Sequence, residues 1–341
     1  MSSQVTLKQI AEELGLSAMT VSRAINNKKN VDEKTRERVL EKARSMGYTP
    51  NYVAKSLVSR KTHTIGVVIP EISHAFFPEV VRGIEEVTYS SGYHLILTHS
   101  AEQFEREKDA INTLRAQRVD GMLVSSSQTE DDYSFYKEVI NSGIPVVFFD
   151  RCIENIGASC VSVNDKVSSR KITAHLIAHG YREIAHLSGP REVSIGKERF
   201  EGYVSALREA GLSVKEQWVV QSGYQEEGGY RAMQKLLQLP DEDRPRAVVA
   251  VNDPAAFGAM DAIREEGLSI PEDIAIVGFT DEVRSELVDC PLTTIHQPAY
   301  NVGKRGAEKL ISTIEEDEPL IENIEIATEM VIRKSCGCPN I

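Results

Sequence analysis

Twenty-one residues near the start constrain this chain more than any other stretch. Thr6 to Asn26 reads TLKQIAEELGLSAMTVSRAIN. Leu7, Ile10, Ala11 and Leu14 have helical spacing with one buried face. Thr6 is placed to cap that helix, because its hydroxyl accepts an orphan amide proton of the first turn. Gly15 permits a sharp turn. A second short helix then starts behind Ser17, with Val21, Ala24 and Ile25 facing inward. Two short helices joined by a Gly-containing turn form a helix-turn-helix, whose second helix enters the DNA major groove at its start. Ala18, Met19, Ser22 and Arg23 lie on its outer face. The alternative is a plain helical hairpin packed into a core. The short polar outer face ending in Arg23 favours DNA, because guanine and phosphate need such a donor.

The charge distribution agrees. The chain carries 39 Lys+Arg and 51 Asp+Glu, a net charge of −12. Residues 1–61 hold 12 basic and 6 acidic side chains (+6), leaving 27 and 45 (−18) for the rest. A basic arm on an acidic body is the footprint of nucleic-acid binding without nonspecific adhesion. The 341 residues, 41% hydrophobic, allow two or three domains with a sizeable core. No 18-residue apolar run or signal-peptide pattern is present, so a cytoplasmic protein is expected, with no membrane partner. Cys152, Cys160, Cys290, Cys336 and Cys338 read as reduced buried or tail thiols. Cys336-Gly337-Cys338 is too tight for a zinc ribbon and no second pair exists. His175 and His179 are spaced i,i+4 but lack a visible third ligand, so they read as a half-exposed helix face. No metal and no cofactor are expected.

A third helix is expected over 33–46, capped by Asp32 and burying Val39, Leu40 and Ala43. The segment 52–59 could form about two helical turns, too few to be stable alone. It would fold against a second copy laid on DNA, with Leu57 wedging between base steps. The bland alternative is a flexible linker.

From Thr64 onward, strand-like runs alternate with amphipathic helices, twice over. That pattern predicts two doubly wound lobes, each a parallel sheet covered on both faces. Ligands in such sheets bind beyond the carboxyl ends of the strands. The residues there are Phe76, Phe77, Ser125, Asp150, Arg199, Tyr224, Asn252, Asp253, Thr280 and Asp281. Aromatic faces, carboxylates, amides and a guanidinium suit a small polar ligand such as a sugar, a purine or a sugar phosphate. Each residue has a bland reading: Phe76 and Phe77 as core, Asp150 as a turn residue, Arg199 as a surface ion pair. No catalytic motif is present, so no enzyme is expected.

With these motifs in hand, the chain resembles the LacI/GalR family of bacterial transcription regulators. The resemblance rests on the Thr6–Asn26 stretch, TRERV, GYTPNYVAKSL, IGVVIP, DGMLV, HLIAHGYREIA, NDPAAFGAM, IPEDIAIVGF and PLTTIHQP, in the family's order across residues 6–335. It implies an α/β protein with an all-α helix-turn-helix head and a two-lobed, doubly wound body of the type I periplasmic-binding-protein kind. The head would take residues 1–48, the hinge 49–61 and the body 62–341. Within the body, the N-lobe would hold about 62–162 and 293–325, and the C-lobe 163–292 and 326–341. The implied partners are a double-stranded, pseudo-palindromic DNA operator, a second copy in a homodimer or dimer of dimers, and a small-molecule effector. Ala18, Met19 and Arg23 match base-reading positions; Thr6, Ser22 and Asn51 match backbone-contacting ones; Ala54 and Leu57 match the hinge's minor-groove positions. Ser17, Thr20, Asn26, Tyr48 and Lys55 complete the expected DNA-binding set. Phe76, Asp150, Arg199, Tyr224 and Asn252 match effector-contacting positions. Thr280 stands where the family usually has a carboxylate, which points away from an ordinary free sugar. Replacing Arg199 with Ala is expected to abolish the effector response and leave the body folded. The rivals are a regulator gated by a partner protein, a plain sugar-binding transport protein and an enzyme with a fused head.

Overall fold

The computed structural model describes residues 5–48, 61–73, 75–127, 133–153 and 155–338. The chain divides into two compact units after Thr62.

The first unit holds three helices, α1 (Leu7–Leu14), α2 (Ala18–Ile25) and α3 (Glu33–Ser45). Their inward faces meet in a small core of Ile10, Ala11, Val21, Ala24, Val39 and Ala43. Leu40 is half-buried, as are Leu14 and Ile25. Every helix start is capped by a side chain. Gln9 N–H donates to Thr6 Oγ1 (3.4 Å) while Thr6 N–H donates to Gln9 Oε1 (2.8 Å), a reciprocal capping box. Thr20 N–H donates to Ser17 Oγ (3.1 Å) and Thr35 N–H to Asp32 Oδ1 (3.0 Å). Gly15 closes α1 in the left-handed region, with φ 63°. That conformation is cheap only for glycine and fixes the turn between the two helices.

The second unit begins with β1 (Thr64–Ile69), α4 (Phe76–Ser90), β2 (His94–His99), α5 (Phe104–Ala116), β3 (Gly121–Val124), α6 (Ser134–Asn141), β4 (Val146–Phe149) and β5 (Ser159–Val163). A second series follows: α7 (Asp165–Ala178), β6 (Ile184–Ser188), α8 (Ser194–Glu209), β7 (Val219–Gln221), α9 (Glu226–Leu237), β8 (Ala247–Ala250), α10 (Asp253–Glu265), β9 (Ala275–Val277) and the short α11 (Arg284–Leu287). The chain ends with β10 (Thr294–His296), α12 (Ala299–Glu315), β11 (Asn323–Ile326) and β12 (Glu329–Val331).

The strands form one six-stranded parallel sheet, ordered β11-β5-β4-β3-β1-β2, and one four-stranded parallel sheet, β7-β6-β8-β9. Antiparallel β10 and β12 form a separate ribbon, so the late segment 294–331 runs from the ribbon into the first lobe and back. Both sheets are buried on two faces, which is why β3, β4 and β8 are continuous apolar runs rather than alternating ones. In the first lobe, one face packs Ile65, Val67 and Ile69 with Phe76, Phe77 and Val302, and the other packs Val68 and Met122 with Ile111 and Leu114. The second lobe repeats this with Val248 and Met233 on one side and Val249 and Tyr203 on the other. Among the described residues no helix is long and apolar enough to cross a membrane.

Two cysteine expectations need correction. Cys152 and Cys160 are joined in a disulfide, their Cα atoms 5.9 Å apart. The loop after β4 turns back to pair β5 beside it, and Phe148 lies in register with Cys160. Sequence spacing cannot show that return. His175 does gain sulfur neighbours, because the chain's end folds back onto α7.

Candidate functional site

The head presents the outer face of α2. Ala18, Met19 and Arg23 are exposed, Met19 to 63%, and Ser22 is half-buried. An exposed methionine at the start of a helix beside Arg23 gives apolar and cationic contact side by side, which suits thymine methyls and guanine or phosphate. Thr6 is exposed, though its side chain already serves α1. Ser17 and Thr20 share a 2.8 Å hydroxyl contact. Asn26 donates from Nδ2 to Ser22 O (2.8 Å), closing α2. Tyr48 is half-buried against the head's core. Asn51, Ala54, Lys55 and Leu57 lie outside the described residues.

The cleft between the lobes of the body collects the strand-end residues. Phe76, Phe77, Asp150, Arg199, Tyr224, Asn252 and Thr280 line one cavity, together with Arg151, Ile195, Pro254, Glu282 and Gln297. The cavity is small, about 40 Å³. Phe76 and Phe77 meet edge to face at 5.2 Å and stay buried, so they serve as both core and wall.

Both arginines are held by carboxylates. Arg199 Nε lies 2.6 Å from Asp165 Oδ1, its Nη1 donates to Val251 O (2.7 Å), and its guanidinium sits 3.8 Å over the Phe279 ring. It is therefore a buried pair and not a surface one. Arg151 makes two bonds to Glu102, at 2.5 and 2.8 Å, and lies 4.7 Å over the Tyr224 ring. That stacking crosses the cleft, since Arg151 follows β4 and Tyr224 follows β7. A second link crosses nearby: Gln225 Nε2 donates to Glu71 Oε2 at 2.8 Å.

Asp150 is buried with φ 59°, and burial pushes its carboxyl up to about 7 even though Arg151 beside it pulls the other way. Burial also raises the Tyr224 hydroxyl well above the ordinary phenol range. Among the described residues Tyr224 Oη, Gln297 Nε2 and Arg151 Nε have no hydrogen-bond partner. Buried polar atoms are nearly always paired, so three orphans lining one cavity mark a place for a ligand or ordered water.

Three expected residues do not reach the wall. Asp253 is fully buried and accepts from Thr294 Oγ1 (2.6 Å), Ser285 Oγ (2.8 Å) and Glu282 N–H (2.9 Å), so it organises the loop after β9. Asp281 pairs with Arg333 (2.8 Å) and His296 (3.1 Å). Ser125 is buried behind the sheet end. Asn252 lines the cavity but also caps α10, accepting from Ala255 N–H (3.0 Å). The reading of the sequence missed Ile195, Pro254, Glu282 and Gln297 as wall residues. Gln297 lay in the quoted PLTTIHQP motif, which was the available signal.

Comparison with known proteins decides the identity. Residues 6–51 match the family described as bacterial regulatory proteins, lacI family. Residues 62–334 match periplasmic binding proteins and the sugar binding domain of the LacI family. The chain belongs to the LacI family. Similar curated members include the HTH-type transcriptional repressor PurR of Mannheimia succiniciproducens, 34% identical over 97% of this chain and 98% of that one. The probable HTH-type transcriptional repressor ExuR of Bacillus subtilis is 35% identical over 97% of this chain and 98% of its own. Among solved structures, the Lac repressor dimer bound to operator and the anti-inducer ONPF is 27% identical, with a TM-score of 0.87 over 98% of this chain and 99% of that one. The transcriptional regulator CelR in complex with cellobiose is 29% identical, with a TM-score of 0.71 over 97% and 100%. This LacI-family chain is thus a DNA-binding transcriptional regulator with an effector-type body, and not an enzyme.

Proposed function

We infer that the protein is a repressor that binds a pseudo-palindromic operator as a homodimer, in the cytoplasm, and releases or tightens on DNA when a small polar effector enters the cleft. The observation that carries the effector half is the set of buried atoms without a hydrogen-bond partner, Tyr224 Oη, Gln297 Nε2 and Arg151 Nε, that line one cavity. They are hydroxyl and N–H groups, so an acceptor-rich ligand suits them best: a sugar carrying a carboxylate or phosphate rather than a plain free sugar. Thr280 in place of a carboxylate favours the same class. For the dimer, the support is the Lac repressor dimer among its structural relatives and exposed apolar side chains on the first lobe, Tyr89, Ile96 and Leu97.

The test is thermal unfolding of the full chain against sugars, sugar acids, sugar phosphates and purines. A ligand at 100 times its Kd adds about 2.7 kcal/mol. The Tyr224→Phe variant leaves no protein partner orphaned, so it should fold normally and lose most of that shift. A shift unchanged in Tyr224→Phe would remove this wall from the reading. Operator binding is followed by fluorescence anisotropy, where Leu57→Ala should weaken the complex and reduce DNA bending.

The cavity of about 40 Å³ favours a second reading, a regulator gated by a partner protein with a vestigial pocket. A flat ligand panel with DNA binding intact would select it.

A further inference from the structure

Away from the cleft, three ligand-type atoms converge where the chain's end meets the last turns of α7. Cys336 Sγ and Cys338 Sγ are 2.9 Å apart, and His175 Nε2 is 3.4 Å from the first and 3.1 Å from the second. The histidine and the thiols are more than 160 positions apart in sequence, so the fold and not the local chain brings them together. Among the described residues no fourth His, Cys, Asp or Glu joins this group.

The geometry that delivers the sulfurs is fixed from both sides. Ser335 is fully buried, donating to Ile276 O (2.6 Å) and accepting from Thr293 N–H (2.8 Å). Gly337 has φ 72°, and a Cβ there would lie 2.7 Å from Tyr181 Oη. Any other residue would be strained twice over, so the tight Cys-Gly-Cys turn that aims both sulfurs at His175 requires this glycine. On the other side, His179 Nδ1 bonds His175 O (2.8 Å) and the two rings lie 4.4 Å apart.

We propose that His175, Cys336 and Cys338 form a site for a thiophilic d10 cation, Zn²⁺ in the first instance, that clasps the end of the chain to α7. Two thiolates and one imidazole are the donor set such ions prefer. Tetrahedral zinc with Zn–S of ~2.3 Å and Zn–N of ~2.0–2.1 Å sets the sulfurs about 3.8 Å apart and each about 3.6 Å from the nitrogen. The sulfurs must part by a little under ~1 Å, within a rotation of the half-exposed Cys338. His175 and Cys338 are each partly exposed and Cys336 is buried, so an ion can arrive from solvent, with water as a fourth ligand. Each thiol that binds releases its proton to solvent. The clasp joins a C-lobe helix to the segment that returns through β12, and it stands apart from the effector cleft.

The test is titration of the reduced full-length protein with Co²⁺, followed by displacement with Zn²⁺. The expected result is one equivalent of cobalt showing sulfur-to-metal charge transfer and tetrahedral visible bands, lost on zinc addition. Cys338→Ser and His175→Gln should each abolish the tetrahedral bands with circular dichroism unchanged, while Cys290→Ser should retain them. Absence of a thiolate–cobalt band in the reduced protein, or the same band in Cys338→Ser, would overturn the proposal.

Discussion

Arg199→Ala is the most informative single perturbation of the body. Arg199 is 3% exposed and Asp165 is 2% exposed. Their 2.6 Å contact and the Arg199 bond to Val251 O therefore lie in the interior. Removing one partner of a buried pair leaves an uncompensated charge and costs about 3–5 kcal/mol. For a body of this size, each kcal/mol moves Tm by roughly 2–4 °C, so the midpoint should fall on the order of 10 °C. Trp218, the single tryptophan, is 3% exposed in the second lobe, and its fluorescence reports the transition there. Two further outcomes are specific to this cause. Arg199→Met combined with Asp165→Leu should recover most of the loss, since a well-packed apolar pair replaces a buried ion pair at little cost. Burial pushes the Asp165 carboxyl up and Arg199 pulls it down. Without the arginine, Asp165 stays protonated to higher pH, so the gap from wild type should widen as pH rises above the ordinary carboxylate range. A loss under about 1 kcal/mol that is independent of pH would refute the reasoning. This also revises the expectation that Arg199→Ala silences the effector and leaves the body folded.

Three other outcomes follow from single side chains. Asp150 titrates near 7 in the folded state against an ordinary value of 3.8, so the native protein holds an extra proton between those values and its stability should fall as pH rises through that window; Asp150→Asn should flatten this part of the profile in urea unfolding measured from pH 4.5 to 8. Thr6→Ala removes one half of the capping box and should destabilise α1 by about 1 kcal/mol, read as faster amide exchange over the first turn. Asp253→Ala strands three donors at once, Thr294, Ser285 and Glu282 N–H, and should cost more than about 3 kcal/mol, where a ligand contact alone would change effector affinity and leave Tm untouched.

The head was legible because its signals are local. Thr6, Gly15, Ser17 and Asp32 act within four residues of themselves, and each does in three dimensions what its spacing implied. The alternation of strand and helix was equally plain, since burial on both sheet faces writes long apolar runs into the sequence. The late helix α12 and the ribbon of β10 and β12 were not read as elements from spacing, because α12 packs on α4 from far earlier in the chain and β10 meets β12 only after the excursion through α12 and β11. Sequence distance hid the meeting of His175 with Cys336, whereas the Cys152–Cys160 bond, only eight residues apart, was hidden because spacing does not show the chain turning back from β4 to β5. At the cleft, strand-end position alone could not separate Asn252, on the wall, from its neighbour Asp253, turned inward to hold a loop. Nor could it show that Arg151 stacks on Tyr224 across the gap.

That stacking and the bond between Glu71 and Gln225 are the side-chain links described across the cleft mouth. Each is of a kind that contributes about 1 kcal/mol. The cavity behind those links is small, about 40 Å³. If the proposed effector binds a more open form of this cleft, its measured affinity is the intrinsic one multiplied by the population of that form, which the two links would lower. On the proposed function, weakening the Glu71 link should make the protein a more sensitive detector without changing a residue of the cavity lining, which would set the threshold concentration at the rim of the pocket and not in its walls.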